Sequence, residues 1–223
     1  MTQVAEESIN AAGKLIDTLI ASNRGDRHAF AYGEKRYSYQ DVAALMNRTG
    51  NMMRAMAVLP GMKVLLMIPP SPAQIASLLG AMKSGAVPVV GVSTSDADAM
   101  KRCIDATNPS AVVIHQAYLA SAENALAALP ADSVVVVGTD VRGHRSFVDA
   151  IRGQSSWFSA ERVGGDSPAV GLWSGTTLRL IGHAELTEIV AGAGGLDEAA
   201  ESEGARLLKM LRAFSKGEEA LLG

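Results

Sequence analysis

The sequence predicts an α/β fold in which a parallel-rich sheet has helices on both faces. The first observation is a set of four short, largely apolar runs, at residues 63–68, 86–92, 111–115 and 133–138. Apolar runs of this length are typical of strands that are buried on both faces. The second observation is that segments with helical patterns alternate with these runs. That order produces parallel βαβ units.

A helix and a hairpin are expected before the sheet begins. Residues 11–22 carry leucine and isoleucine at the spacing of one helical face, which predicts an amphipathic helix. Residues 28–39 predict two short extended pieces around a turn at Gly33.

The next helix has a clear predicted start. Ser38 and Asp41 have the spacing of a capping box, in which each side chain accepts a hydrogen bond from a backbone N–H group of the other residue. Apolar residues then recur at helical spacing from Val42 to Met56, and several of them are methionine. Such a stripe is typical of core packing, so we expect these side chains to be buried.

The segments at the carboxyl ends of the predicted strands are the natural place to look for a ligand site. Further helices are expected at about 72–84, 96–107 and 119–129, so these ends fall at 69–72, 93–96, 115–116 and 138–140. None of them contains the G-x-G-x-x-G turn of a dinucleotide site. The sequence therefore predicts no standard dinucleotide-binding site.

Composition narrows the classes of function. The chain has 223 residues and a net charge of −3, which gives no electrostatic drive toward nucleic acid. Its longest uncharged stretch, 64–82, is interrupted by three prolines, so no membrane span is expected. The first ten residues are polar and acidic and do not resemble a signal peptide, so the cytoplasm is the expected location.

The cysteine and histidine patterns predict no metal site. Cys103 is the only cysteine, so no internal disulfide is expected and the side chain is predicted to be a small buried apolar group. The four histidines have no metal-ligand spacing with one another or with acidic residues. His115 lies at a predicted strand end, where we expect a structural role because no catalytic partners converge on it.

Ser174, Gly175, Thr176 and Thr177 form the candidate ligand-binding loop. They follow an apolar run at 168–173 that predicts a further strand. Glycine lets the backbone approach an anion closely, and several N–H groups can then converge on one phosphate. The G-x-x-x-x-G-K-S/T phosphate-loop pattern is absent from the whole chain, so these residues alone leave open whether the loop binds phosphate.

The last part of the sequence predicts an appended helix. Residues 191–195 are rich in glycine and are expected to form a flexible joint. Acidic residues then precede basic ones, an order that suits a helix dipole. The apolar stripe of this helix consists of Leu207, Leu208, Met210, Leu211 and Phe214. The predicted organisation is a polar tail at 1–10, an α/β domain at 11–190, and the joint with its helix at 191–223.

Several blocks of the sequence together resemble a known family. Residues 10–17, 25–42, 47–93, 165–177 and 182–186 resemble the N-terminal part of the adenylate-forming acyl- and aryl-CoA synthetases, particularly the benzoate-CoA ligase branch. The most persuasive block is 60–89, because its predicted strand, helix and second strand all fall in register with those of the family. The resemblance implies the fold of the N-terminal subdomain of these enzymes, which activate carboxylic acids with ATP.

The sequence departs from this family at the loop itself. The family pattern, approximately S/T-S-G-S/T-T-G-x-P-K-G, holds the triphosphate of ATP and leads into a helix. Ser174 to Thr177 match its first part and residues 182–186 match the helix opening, but LRLIG at 178–182 stands where G-x-P-K-G is expected. Arg179 brings one positive charge, but without the glycines the backbone cannot easily present a ring of N–H donors. We therefore expect the loop to be a remnant.

The resemblance further implies that parts of the catalytic machinery are missing. Members of the family are longer, and their later portion carries the magnesium ligand and the catalytic lysine. Adenylation depends almost wholly on positioning and charge neutralisation, so catalytic inactivity is expected. No cofactor is expected, and ATP or AMP would bind only if Ser174 to Thr177 still hold phosphate.

Three functions follow as hypotheses. The chain is a binding, regulatory or scaffolding module; or it is part of an AMP-forming acyl-CoA ligase that needs a partner chain; or it senses an acyl, aryl or nucleotide ligand at the strand ends. Because truncation would leave apolar surface, we expect a homodimer or a protein partner to cover it together with the Leu207–Phe214 helix.

Overall fold

The computed structural model describes residues 8–192 and 203–222. The main sheet contains β3 (Lys63–Met67), β4 (Val87–Val90), β5 (Ala111–His115), β6 (Val134–Val137), β7 (Arg145–Ser146), β8 (Pro168–Trp173) and β9 (Leu178–Gly182). Their spatial order is β7-β6-β5-β3-β4-β8-β9. All neighbouring pairs are parallel except β8 and β9, which are antiparallel. The predicted α/β class and parallel-rich sheet are confirmed, and β3 to β6 are the four strands predicted from the apolar runs.

The helices lie before, between and after these strands along the chain. They are α1 (Thr18–Ala21, after a π-helical turn at Gly13–Asp17), α2 (Tyr39–Ala55), α3 (Pro72–Lys83), α4 (Ala97–Thr107), α5 (Leu119–Leu126), α6 (Phe147–Arg152), α7 (His183–Ala191) and α8 (Glu203–Lys216). The capping box at the start of α2 is present: the Asp41 N–H donates to Ser38 Oγ at 3.1 Å, and the Ser38 N–H donates to Asp41 Oδ2 at 2.9 Å. A separate antiparallel hairpin pairs β1 (His28–Tyr32) with β2 (Lys35–Ser38), as expected from residues 28–39.

Alternate residues of the central strand β3 face two separate apolar clusters. Val64 and Leu66 lie in the larger cluster, which includes residues from α2, α3, α7 and α8. Leu65 and Met67 point the other way, into a smaller cluster with residues from α4 and α5. Successive side chains of a strand point to opposite faces, so an apolar run without alternation requires cover on both sides. The helices provide that cover on both faces.

Helices α2 and α3 approach each other closely at Gly80. A Cβ atom at this position would lie 2.7 Å from Thr49 Cβ and 2.9 Å from the carbonyl oxygen of Met46. The absence of a side chain therefore sets the distance between the two helices. Met46, Met52 and Met53 of α2 are buried, which confirms the core role predicted for the methionine stripe.

The residues after α8 connect it to the start of the chain. The Ala220 N–H donates to the Ala29 carbonyl at 2.7 Å, and Ala220 forms a parallel bridge with Phe30 of β1. Tyr39 Oη donates to the Glu218 carbonyl at 2.6 Å. The early hairpin and the last described residues therefore form one packed unit.

Parts of the predicted tail and joint lie outside the described residues, namely 1–7 and 193–202. Within the predicted tail, Asn10 is buried, and its Nδ2 donates to the carbonyls of Met82, Lys83 and Glu161. Three elements were not predicted: β7, α6 and β9. In the described part of the chain, no helix has both the length and the apolar character that crossing a bilayer requires.

Candidate functional site

Ser174 to Thr177 form the turn between β8 and β9. Trp173 pairs with Leu178 in the antiparallel ladder, so four residues close the hairpin. The Ser174 N–H donates to the Thr177 carbonyl at 3.0 Å, and the two hydroxyl oxygens of Ser174 and Thr177 lie 2.7 Å apart. Gly175 has φ of +92°, a conformation that an L-residue adopts only with strain. The turn is thus held by hydrogen bonds within itself.

The residues that follow the turn form a regular strand. Gly171 pairs with Leu180 and Leu172 pairs with Arg179 across the ladder, while Ile181 is fully buried. The Arg179 guanidinium forms a surface ion pair with Glu185 of α7 at 3.3 Å. The resemblance had implied a glycine-rich loop at this point, whereas LRLIG forms β9 at the edge of the sheet.

A separate cavity of about 440 Å³ lies at the carboxyl end of β3. Residues 66–70 form one side, Val92 and Thr94 come from the segment after β4, and Tyr118 precedes α5. Helix α8 and residues 221–222 complete the walls. Most of these side chains are apolar, and the volume lies within the range of small-molecule pockets. The four residues of the β8–β9 turn do not line it.

Glu203, the first residue of α8, is a half-buried acid that lines this cavity. Its Oε1 accepts a hydrogen bond from Gln74 Nε2 at 3.1 Å, and its Oε2 accepts one from the Gly91 N–H at 3.0 Å. Burial raises the pKa of the Glu203 carboxyl, while the two hydrogen bonds and the nearby Arg206 oppose that rise. The carboxylate therefore joins α8 to α3 and to the end of β4.

The sequence did not identify Glu203 as a site residue. Its acidic neighbours suggested only a favourable helix dipole, and its partners Gln74 and Gly91 lie far from it along the chain. A carboxylate becomes notable only when the fold removes it from water beside specific donors. No local sequence signal could have shown this.

His115, at the end of β5, does not line the cavity and makes local contacts. Its Nδ1 accepts a hydrogen bond from the Ala117 N–H at 3.3 Å, and its ring meets Tyr118 edge to face at 5.9 Å between centroids. These contacts order the segment between β5 and α5. They agree with the structural role predicted for this residue.

His183, the first residue of α7, is fully buried. Its Nδ1 accepts a hydrogen bond from the Ala11 N–H at 3.0 Å, so the proton of the neutral ring lies on Nε2. Burial lowers the pKa of His183 to about 4. Cys103 is also buried, as predicted, and burial raises the pKa of its thiol to about 12.

Comparison with known proteins defines the class to which this fold belongs. The model of the family described as AMP-binding enzyme matches residues 19–177, which is more than half of the chain. The chain therefore belongs to the AMP-binding enzyme family. The match ends at Thr177, the last residue of the β8–β9 turn. Residues 178–182 of β9, which differ from the family pattern, lie beyond it.

The relatives include enzymes that join aromatic acids to CoA. The chain is 31% identical over 175 residues to a 3-hydroxybenzoate–CoA ligase from Aromatoleum sp. (strain CIB), covering 77% of this chain and 33% of the relative. It is 36% identical over 84 residues to a 3-hydroxybenzoate–CoA/4-hydroxybenzoate–CoA ligase from Thauera aromatica, covering 38% of this chain and 16% of the relative. The chain thus spans a third or less of these relatives.

Solved structures share the fold. The anthranilate CoA ligase AuaEII, in complex with anthranoyl-AMP, superposes with a TM-score of 0.82 at 22% identity, over 97% of this chain and 45% of that one. A benzoate CoA ligase from Burkholderia xenovorans LB400 gives a TM-score of 0.74 at 21% identity, over 82% and 36%. The predicted resemblance to the N-terminal subdomain of adenylate-forming enzymes is confirmed.

Proposed function

We propose that this 223-residue chain is a non-catalytic binding module of the AMP-binding enzyme family. The observation that carries the proposal is the four-residue turn at Ser174 to Thr177, which closes on itself and continues directly into β9. A loop that wraps a triphosphate needs several backbone N–H groups free to converge on it. The residues after the turn instead have regular strand pairing.

The side chains of β9 support the same proposal. Ile181 is held in the core, so β9 cannot leave the sheet without exposing apolar surface. The Arg179 guanidinium forms an ion pair with Glu185 of α7. Opening the turn to accept ATP would disrupt these contacts, so we expect neither ATP nor AMP to be a resident cofactor.

The test is an assay for acid-dependent release of pyrophosphate from ATP. Benzoate, 3-hydroxybenzoate, anthranilate and octanoate are the acids to use, because several relatives are aryl-CoA ligases. We expect no release above the protein-free background. Acid-dependent turnover at ordinary enzyme rates would refute the proposal, and turnover only after addition of a second chain would establish a split ligase.

The double variant Thr176→Ala/Thr177→Ala examines the turn directly. Both side chains are exposed, and the double variant loses the contact between the Ser174 and Thr177 hydroxyls, so we expect the free energy of unfolding to fall by no more than about 1.5 kcal/mol. Nucleotide affinity, measured by calorimetry with ATP and AMP, should be absent before and after the substitution. An affinity that disappears in the double variant would show that the turn still binds phosphate.

A second candidate function, small-ligand sensing, is favoured by the 440 Å³ cavity at the end of β3. Apolar pockets with a few converging polar groups are the usual form of a small-molecule site. In this candidate the binding module responds to a ligand that lies between α8 and the sheet. The location proposed for either function is the cytoplasm.

Assembly with a second protein molecule is part of the proposal. β9 forms one edge of the sheet, and Leu180 on this strand is 44% exposed. Edge strands with exposed apolar side chains tend to pair with other chains. The apolar stripe of α8 is buried within this chain, so the partner, a second copy in the simplest case, is proposed to contact β9 and not α8.

A further inference from the structure

We infer that the cavity between α8 and the end of β3 is a binding site for small amphiphilic anions, compounds with one anionic head group and an apolar body. The inference rests on the proposed binding role and specifies its site and ligand. The site is built from residues that lie outside the β8–β9 turn.

The walls of the cavity determine the body of the ligand. Leu66, Ile68 and Val92 are buried side chains on the sheet side, and Leu207 and Met210 face them from α8. Apolar surface of this kind favours an alkyl chain or an aromatic ring over a polar group, because each apolar contact removes area from water. A strongly polar ligand such as a free nucleotide would leave its ribose and base edges unpaired against these walls.

The charges on α8 determine the head group. Arg206 and Lys209 are exposed and line the cavity, one helical turn apart. Lys209 has no ion-pair partner among residues 8–192 and 203–222. Two cations beside an apolar cavity favour an anion, which can stay partly hydrated while its body is buried.

Glu203 determines the direction in which the ligand lies. Its carboxylate is already bonded to Gln74 and the Gly91 N–H, and its negative charge repels an anion at that end of α8. The head group is therefore directed toward Arg206 and Lys209. The same carboxylate anchors the first turn of α8, where Arg206 lies close enough to favour its ionised form.

The test uses isothermal titration calorimetry on the full chain with four probes of equal chain length: octanoate, 1-octanesulfonate, octan-1-ol and octylamine. We expect both anions to bind with one site per chain and at least tenfold more tightly than octylamine. The two anions separate a general anion site from one that requires a carboxylate. Binding of octylamine as tight as that of octanoate, or no heat with either anion at millimolar concentration, would overturn the inference.

Variants locate the site. Arg206→Ala is expected to weaken octanoate binding about tenfold, whereas Lys216→Ala, which removes the same charge from the exposed end of α8, should leave it unchanged. Val92→Phe should fill the cavity and abolish binding. If that variant does not fold, Thr94→Phe places a ring in the cavity from a half-buried position. Unaltered octanoate affinity in Arg206→Ala and in the folded filling variant would place the ligand elsewhere and refute the site.

This experiment separates the inference from the proposed function. Pyrophosphate release from ATP would refute the non-catalytic role but would not change the calorimetric result. Absence of both pyrophosphate release and anion binding would overturn the site and leave the non-catalytic role standing.

Discussion

Phe214→Ala should test whether α8 is an integral part of this fold. Phe214 is fully buried, and its ring meets that of Tyr39 edge to face, with centroids 5.7 Å apart and an interplanar angle of 77°. Tyr39 is also fully buried and belongs to α2. The substitution therefore removes an aromatic side chain at the contact between the last helix and the first long one.

The expected loss of stability follows from this burial. Truncation of a buried phenylalanine to alanine costs about 3–5 kcal/mol, which includes the cavity that remains. The edge-to-face pair with Tyr39 favours the upper half of that range, because such pairs contribute about 0.5–1.5 kcal/mol beyond burial. With a denaturant slope of about 2–3 kcal/mol per molar urea for a chain of this size, the unfolding midpoint should fall by about 1.3–2.5 M.

Urea unfolding followed by circular dichroism measures this change. Leu221→Ala is the control, because Leu221 is 93% exposed and its loss should change the free energy of unfolding by no more than about 0.5 kcal/mol. Tyr39→Phe keeps the ring but removes the hydroxyl that donates to the Glu218 carbonyl, at an expected cost of about 0.5–1.5 kcal/mol. A loss below about 1 kcal/mol for Phe214→Ala would show that α8 does not pack on the core.

Three further predictions concern acid stability, backbone packing and assembly. Burial lowers the pKa of His183 from 6.5 to about 4. Between these two pH values the side chain is protonated in the unfolded state but not in the folded state. The free energy of unfolding should therefore fall by up to about 3 kcal/mol as the pH drops from 6.5 to about 4. Urea unfolding at a series of pH values measures this fall, and the same fall in His183→Gln would show that His183 is not its cause. In thermal unfolding, Gly91→Ala should cost at least about 2 kcal/mol more than Gly175→Ala. Both glycines have positive φ, but a Cβ at Gly91 would lie 2.4 Å from the Trp173 carbonyl oxygen, whereas a Cβ at Gly175 would have no neighbour within 4 Å. Equal costs for the two variants would exclude that clash. Light scattering of the intact chain should give the mass of a dimer, and Leu180→Lys should shift it toward monomer; a monomer at all concentrations would refute pairing through β9.

The sheet could be predicted from the sequence because its signal is local. Apolar runs such as 111–115 require cover on both faces wherever they lie, and the Ser38 and Asp41 capping box acts within a single turn. Such features depend only on residues that are close along the chain, so they can be recognised without knowledge of the tertiary structure. The resemblance then added the particular fold, that of the N-terminal subdomain of adenylate-forming enzymes.

The edge of the sheet and the cavity could not be predicted in this way. Residues 178–182 depart from the family pattern, and their pairing with β8 depends on the tight turn at Ser174 to Thr177. The cavity depends on where α8 returns to the sheet, and Glu203 acquires its partners only through that return. These features arise from contacts between distant segments, for which one sequence carries no periodic signal.

The contact between Ala29 and Ala220 also bears on how the chain is made in the cell. A ribosome releases the β1–β2 hairpin and α2 long before it releases residues 203–222, yet Phe214 and the segment around Ala220 complete the burial of that early region. Long-range closure of this kind slows folding, because loop entropy must be overcome before the contact forms. The apolar face of the β1–β2 hairpin and α2 is therefore exposed until residues 203–222 are released. This is the interval in which chaperones would bind the nascent chain.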